Sequence, residues 1–191
     1  MAATTAVGAG EVRRRPPPGT APIVRCFVLG TVLLDLAILT YGAITSSDGF
    51  RDAGWGLAAW VVVVAAVGAA SLPFESGQAL GLDMPVLLSV GYLFGPVVAG
   101  ATAFVAYVDA RELRGEIPMV RALFNRAQTS LSVMAATAVF GVVVSGGDGW
   151  PIAAVAAFLA VGTDCLVNYG TVVAVLCLHE RITPWDGLSR L

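Results

Sequence analysis

Residues 80–108 read LGLDMPVLLSVGYLFGPVVAGATAFVAYV, an apolar stretch whose only charge is Asp83 and whose prolines are Pro85 and Pro96. Proline removes a backbone donor and clashes with the preceding turn, so a bend is expected at the Gly95–Pro96 pair. The fold depends on whether this segment is one long membrane span or a hairpin of two short ones. Arginine distribution decides. With a hairpin and a cytoplasmic N-terminus, Arg13, Arg14, Arg15, Arg25, Arg111, Arg114, Arg121, Arg126, Arg181 and Arg190 lie inside, and only Arg51 lies outside. A single span gives four inside and seven outside, and inverting the whole chain improves this only to seven against four. The positive-inside bias therefore favours the hairpin. Each arm has about 15 residues, or roughly 22 Å of helix, so one or both arms are expected to be short or re-entrant and sheltered by neighbouring helices.

Working outward, four further spans follow from length and apolarity: Ile23–Ile44, Trp55–Leu72, Met119–Val144 and Ile152–Leu178. The polar stretches SSDGFRDAG (46–54) and SGGDGWP (145–151) read as turns, and Pro73 closes the second span. The sequence thus predicts an all-α polytopic membrane bundle with six membrane segments, including a short proline-kinked hairpin at about 77–108. Residues 1–22 are expected as a flexible cytoplasmic arm, 23–180 as the transmembrane domain and 181–191 as a cytoplasmic juxtamembrane tail. The run from Ile23 is longer than the 7 to 15 residues of a signal-peptide core, so it is read as a retained helix. The expected location is a cell inner membrane, multi-pass, with both termini cytoplasmic.

Composition points the same way. The chain has 191 residues, 57% hydrophobic and 13% charged, with a mean hydropathy of +0.82; soluble domains carry about 25% charged residues. This excludes a soluble enzyme domain, an ordinary nucleic-acid binder and a disordered tail. Of the 24 charged side chains, 22 fall at the N-terminus, near span ends or after residue 179. Asp35 and Asp164 alone lie inside long apolar runs. Cys26, Cys165 and Cys177 have no C-x-x-C spacing and are read as apolar packers rather than a disulfide or metal framework.

Ionisable groups at membrane depth usually face other helices or a cavity. Asp164, Asn168 and Thr171 are spaced i, i+4 and i+7, and Arg121, Asn125, Gln128 and Ser132 also share one helical face. These stripes can be interhelical glue. The sharper expectation is that Asp35, Asn125, Gln128, Asp164 and Asn168 line one shared cavity for a small polar ligand or cation. Arg111, Arg114, Arg121 and Arg126 read as cytoplasmic anchors, with Arg126 about 140° from Arg121 and snorkelling to the surface. Gly91 and Gly95 form one G-x-x-x-G, and Ala65/Ala69 and Ala66/Ala70 are small-residue pairs read as packing within the monomer. Trp55, Trp60 and Trp150 are placed at outer helix ends, where indoles prefer the interface.

Catalytic patterns are scarce. His179 is the only histidine, and H-E-x-x-H, G-x-S-x-G and P-loop sequences are missing. An intramembrane aspartyl protease needs a close acid pair, and LGLD (80–83) lacks that family's G-x-G-D. No enzyme activity, cofactor or metal is expected.

Four stretches in order, VGYLFGPVVAGA (90–101), DARELRG (109–115), RALFNRAQTSLSVMAATAVFG (121–141) and DCLVNYGTVVAVLCLHERITPWDGL (164–188), resemble the N-terminal membrane sensor modules of bacterial HD-GYP and GGDEF signalling proteins. LFNRAQTSLS and LVNYG are the most specific elements. The resemblance covers about the last 110 residues and implies that Asn125, Gln128 and Asn168 occupy characteristic positions of the module. It also implies a cytoplasmic output domain as partner. No such domain is encoded here, so the chain reads either as a fragment or as a stand-alone module. GYLFGPVVAG is also similar to the early Gly-rich helices of the substrate-binding S components of energy-coupling-factor vitamin transporters. That resemblance implies a bound micronutrient and a separate coupling subunit. A structural membrane subunit is the third reading.

Overall fold

The computed structural model describes residues 20–69, 72–73, 79–80, 83–108, 112, 114–115, 117–147 and 149–188. The chain is all-α, built from α1 (Thr20–Thr45), α2 (Ser47–Ala53), α3 (Gly56–Ala69), α4 (Asp83–Phe94), α5 (Pro96–Ala106), α6 (Met119–Val144), α7 (Trp150–Glu180) and α8 (Pro184–Leu188). One two-residue antiparallel ladder, β1 (Leu72–Pro73) with β2 (Ala79–Leu80), lies between α3 and α4 and pairs Leu72 with Leu80. Of the expected N-terminal arm, residues 1–19 lie outside the described residues, and Thr20 already opens α1.

Three helices are long and apolar enough to cross a membrane, namely Pro22–Thr45 of α1, α6 and α7; a fourth crossing arises if α2 and α3 act as one bent span. Their surfaces agree with insertion. Leu33, Leu34, Ile44, Phe158 and Leu166 are all more than half exposed, a distribution that water would penalise and lipid favours. In the most apolar window of each helix, 50% of α6 is buried, against 17% for α1 and 11% for α7. α6 is therefore the central post, and α1 and α7 present most of their apolar faces outward.

Two expectations about spans change. The stretch 46–54 is not a plain polar turn: Ser47–Ala53 form a helix with Asp48 in its first turn and Arg51 in its last, an arrangement that complements the helix dipole. The chain then turns by 82° into α3, through Gly54 at φ 48°. The predicted span Trp55–Leu72 accordingly shrinks to the 14 residues of Gly56–Ala69, about 21 Å of helix. Three of the six expected segments, α3, α4 and α5, are thus shorter than the roughly 30 Å hydrocarbon core.

The hairpin itself is present. α4 and α5, of 12 and 11 residues, meet at Gly95, whose φ of 92° suits glycine alone, and Pro96 begins α5 where its missing donor is harmless. A Cβ on Gly91 would lie 3.1 Å from that of Ala99. Eight residues of straight helix would separate them by about 12 Å, so the chain doubles back.

Side-chain pairs set the relative depth of the helices. Phe27 and Phe124, near the starts of α1 and α6, have ring centroids 6.4 Å apart, so both helices start at one end, here the lower. Gly91 meets Thr137, and Tyr92 stacks on Phe140 at 3.9 Å, which carries the hairpin tip to the upper end of α6. Gly49 of α2 lies against the Phe94 carbonyl at that same end. Asp83, eight residues below Gly91, therefore sits about 12 Å down, near the middle of α6. α4 is a half-helix that begins at mid-depth.

Other placements differ from expectation. Cys26 and Cys165 are exposed on outward faces rather than packed inside, and all three cysteines are free. Trp55 and Trp150 are 94% and 81% exposed at the upper end, as interfacial anchors would be, whereas Trp60 packs on the core formed by Val64, Leu87, Val90 and Val98. Residues 181–188 are not a plain tail. Arg181 takes a left-handed φ of 56° and ends α7. Thr183 then caps α8 by accepting the Asp186 N–H at 3.3 Å and donating to Asp186 Oδ2 at 2.8 Å.

Candidate functional site

α6 and α7 run antiparallel, and their polar stripes meet. Ser132 Oγ donates to Asp164 Oδ1 at 2.7 Å. One turn lower on α6, Gln128 Nε2 donates to the Asn168 backbone oxygen at 2.9 Å and also to Asn168 Oδ1. The i, i+4 spacing on each helix makes these two rungs of one ladder. Asn125 is half-buried one turn lower still and contributes no rung. Thr171 turns back to its own helix, donating to the Val167 and Asn168 carbonyls at 2.9 and 2.8 Å. Gln128, Ser132 and Asp164 are at most 8% exposed and Asn168 is half-buried, so the Ser132–Asp164 rung is the better shielded of the two.

Asp35 does not join it, which corrects the expectation of one shared cavity. Its polar neighbour is Ser130. At about 100° per residue, Ser130 points some 160° away from both Gln128 and Ser132. Asp35 and Asp164 therefore flank α6 on opposite sides. Helical spacing placed residues on faces of their own helix, but the side from which α1 docks was invisible in it.

The residue missed by sequence reasoning is Asp83. It is 4% exposed at the start of α4, one carboxylate oxygen lacks a hydrogen-bond partner, and its own N–H and that of Met84 point to it. It lies close enough to Asp164 to act on it electrostatically, and Asp164 in turn acts on Tyr92. A signal existed: Asp-Met-Pro is a helix-start pattern. It read as an end of a span at the membrane surface, whereas the fold sets that start at mid-depth. Asp35, Asp83 and Asp164 are the buried acidic residues among those described, and no buried cation accompanies them.

The lower rim is cationic. Arg126 does not snorkel freely; its guanidinium binds Glu112 at 2.6 Å, with the two side chains 21% and 16% exposed. This pair ties the α5–α6 connection to α6. Arg114 and Arg121 are exposed, and Arg111 lies outside the described residues. On the outer side of α7, an open groove of about 440 Å3 is lined by Cys165, Leu166, Tyr169, Val173 and Leu188 with two glycines, and contains none of the expected ligand residues. Among the described residues, no three His, Cys, Asp or Glu side chains converge as metal ligands would.

Comparison with protein-family models, with curated proteins and with solved structures finds no match to this chain.

Proposed function

We propose that the chain is a non-catalytic sensory or ligand-binding module of a bacterial inner membrane, which takes a small polar or cationic ligand at the α6–α7 ladder. The observation that carries this reading is Asp164, buried at mid-depth on Ser132 one turn from the Gln128–Asn168 rung, with a second buried carboxyl, Asp83, near enough to act on it and no buried cation among the described residues. Carboxylates so placed are costly and favour a neutralising partner. Occupancy would bear on α6 and α7, whose lower ends carry the cationic rim and α8, the natural contacts for a cytoplasmic output domain. The sensor-module resemblance supports the same reading.

Thermal unfolding of the purified chain in detergent, with sodium, potassium or tetramethylammonium chloride at constant ionic strength, tests it. At least one cation is expected to raise the wild-type midpoint and to leave Asp164→Asn unmoved; equal responses in both proteins would overturn the reading. Mass spectrometry of molecules released on gentle purification covers organic ligands. A bound vitamin-like compound, with a coupling subunit copurifying, would move the assignment to a transporter S component.

The topology proposed with this function keeps six membrane segments and both termini cytoplasmic. Whether or not the α4–α5 arms reach the far face, a hairpin returns the chain to the side from which it entered, so the arms leave the count of net crossings even. Reporter fusions after Gly115 and Leu188 are expected to read cytoplasmic, and an external signal at either would refute the arrangement.

A further inference from the structure

Asp35, midway along α1, is 0% exposed, and neither carboxyl oxygen has a hydrogen-bond partner. Ser130 of α6 is also 0% exposed, and its hydroxyl is equally unpartnered. The two side chains are near enough to act on one another without being aligned in a hydrogen bond. α5 closes the third side, since a Cβ on Gly100 would stand 3.0 Å from Ser130 Oγ. A carboxyl and a hydroxyl, both orphaned, thus face each other where three helices meet.

No charge balances Asp35 from the helices around it. α5 has no ionisable side chain. On α6, Arg126 is engaged by Glu112 and Arg121 is exposed near the lower end. On α7, Asp164 is turned to Ser132, and His179 and Glu180 are exposed at the lower end. On α2, Asp48, Arg51 and Asp52 are exposed at the upper end. Arg25 and Tyr41 of α1 itself are exposed too. A metal cation of the calcium or magnesium type takes about six oxygen ligands, and the unpartnered oxygens of Asp35 and Ser130 supply three. A proton needs a single acceptor.

We propose that Asp35 and Ser130 form a proton-binding site at the junction of α1, α5 and α6, separate from the α6–α7 ladder. The Asp35 carboxylate takes one proton from a hydronium ion, whose O–H bond breaks to leave water, and the new carboxyl O–H donates to Ser130 Oγ; no other covalent bond changes. Loss of the proton leaves a bare charge in an apolar junction, so occupancy governs how firmly α1 sits on α5 and α6. This site does not depend on the ladder's ligand.

Infrared spectra of the full chain in lipid nanodiscs at neutral pH test the proposal through the C=O stretch of protonated carboxyl groups. The wild type is expected to show such a band, Asp35→Asn to lose it and Asp164→Asn to retain it. Ser130→Ala should shift it, because the hydrogen bond from the acid is removed. Identical carboxyl-region spectra for wild type and Asp35→Asn would overturn the site. If Asp35→Asn fails to fold, Ser130→Ala decides: a shifted band supports the pair and an unmoved band overturns it. Failure of the cation response at Asp164 leaves this band untouched, so the two proposals fail separately.

Discussion

Gly91→Val is expected to unfold at a clearly lower temperature than the wild type, with a loss of about 1–3 kcal/mol, the usual range for overpacking a tight interior. A Cβ on Gly91 would fall 2.1 Å from Thr137 Cγ2 and 2.7 Å from Thr137 Cβ. Neither atom can swing aside, because the Thr137 hydroxyl is held by the Val133 carbonyl at 2.7 Å. α4 would have to move off α6, taking the Tyr92–Phe140 stack with it. Gly30→Val is the control. Nothing lies within 4 Å of a Cβ at Gly30, so its effect should stay within about 0.5 kcal/mol. Adding Thr137→Gly to Gly91→Val should recover part of the loss. Equal midpoints for Gly91→Val and Gly30→Val would show that α4 does not pack on α6 as described.

The second large effect is expected at the ladder. Ser132→Val removes the partner of a buried carboxyl and should cost about 1–3 kcal/mol, the penalty for orphaning such a group. Membrane hydrogen bonds average only about 0.6 kcal/mol, so the penalty comes from the unpartnered Asp164 more than from the lost bond. Adding Asp164→Leu removes the orphan, and the double variant should regain much of the loss, since apolar replacement of a buried polar pair is often neutral or stabilising. The cycle of wild type, both single variants and the double, read by thermal unfolding, measures the coupling. Additive losses would mean that Ser132 and Asp164 do not interact.

These two sites differ in how far the sequence revealed them. The rungs at Gln128/Ser132 and Asn168/Asp164 were legible because i, i+4 spacing puts residues on one face whatever surrounds the helix. The break at Gly95–Pro96 was legible because proline and glycine act locally on the backbone. The Gly91–Thr137 contact was not. G-x-x-x-G marks a face that permits close approach, and in a chain with 22 glycines it says nothing about the partner.

Class and the three long apolar helices followed from composition and hydropathy, since the cost of charge in hydrocarbon is the same wherever a segment packs. The three helices able to cross the membrane, the hairpin turn and the shared faces of α6 and α7 all come from such local rules. The side of α6 on which α1 docks, the 82° turn before α3 and the mid-depth start of α4 do not. They depend on which surfaces meet at once, as when Gly91, Gly100 and Gly42 admit Thr137, Met134 and Val97. Helical periodicity sets angles about one axis; only packing sets one axis against another. For that reason Asp35 parted from Asp164, and Asp83 joined it.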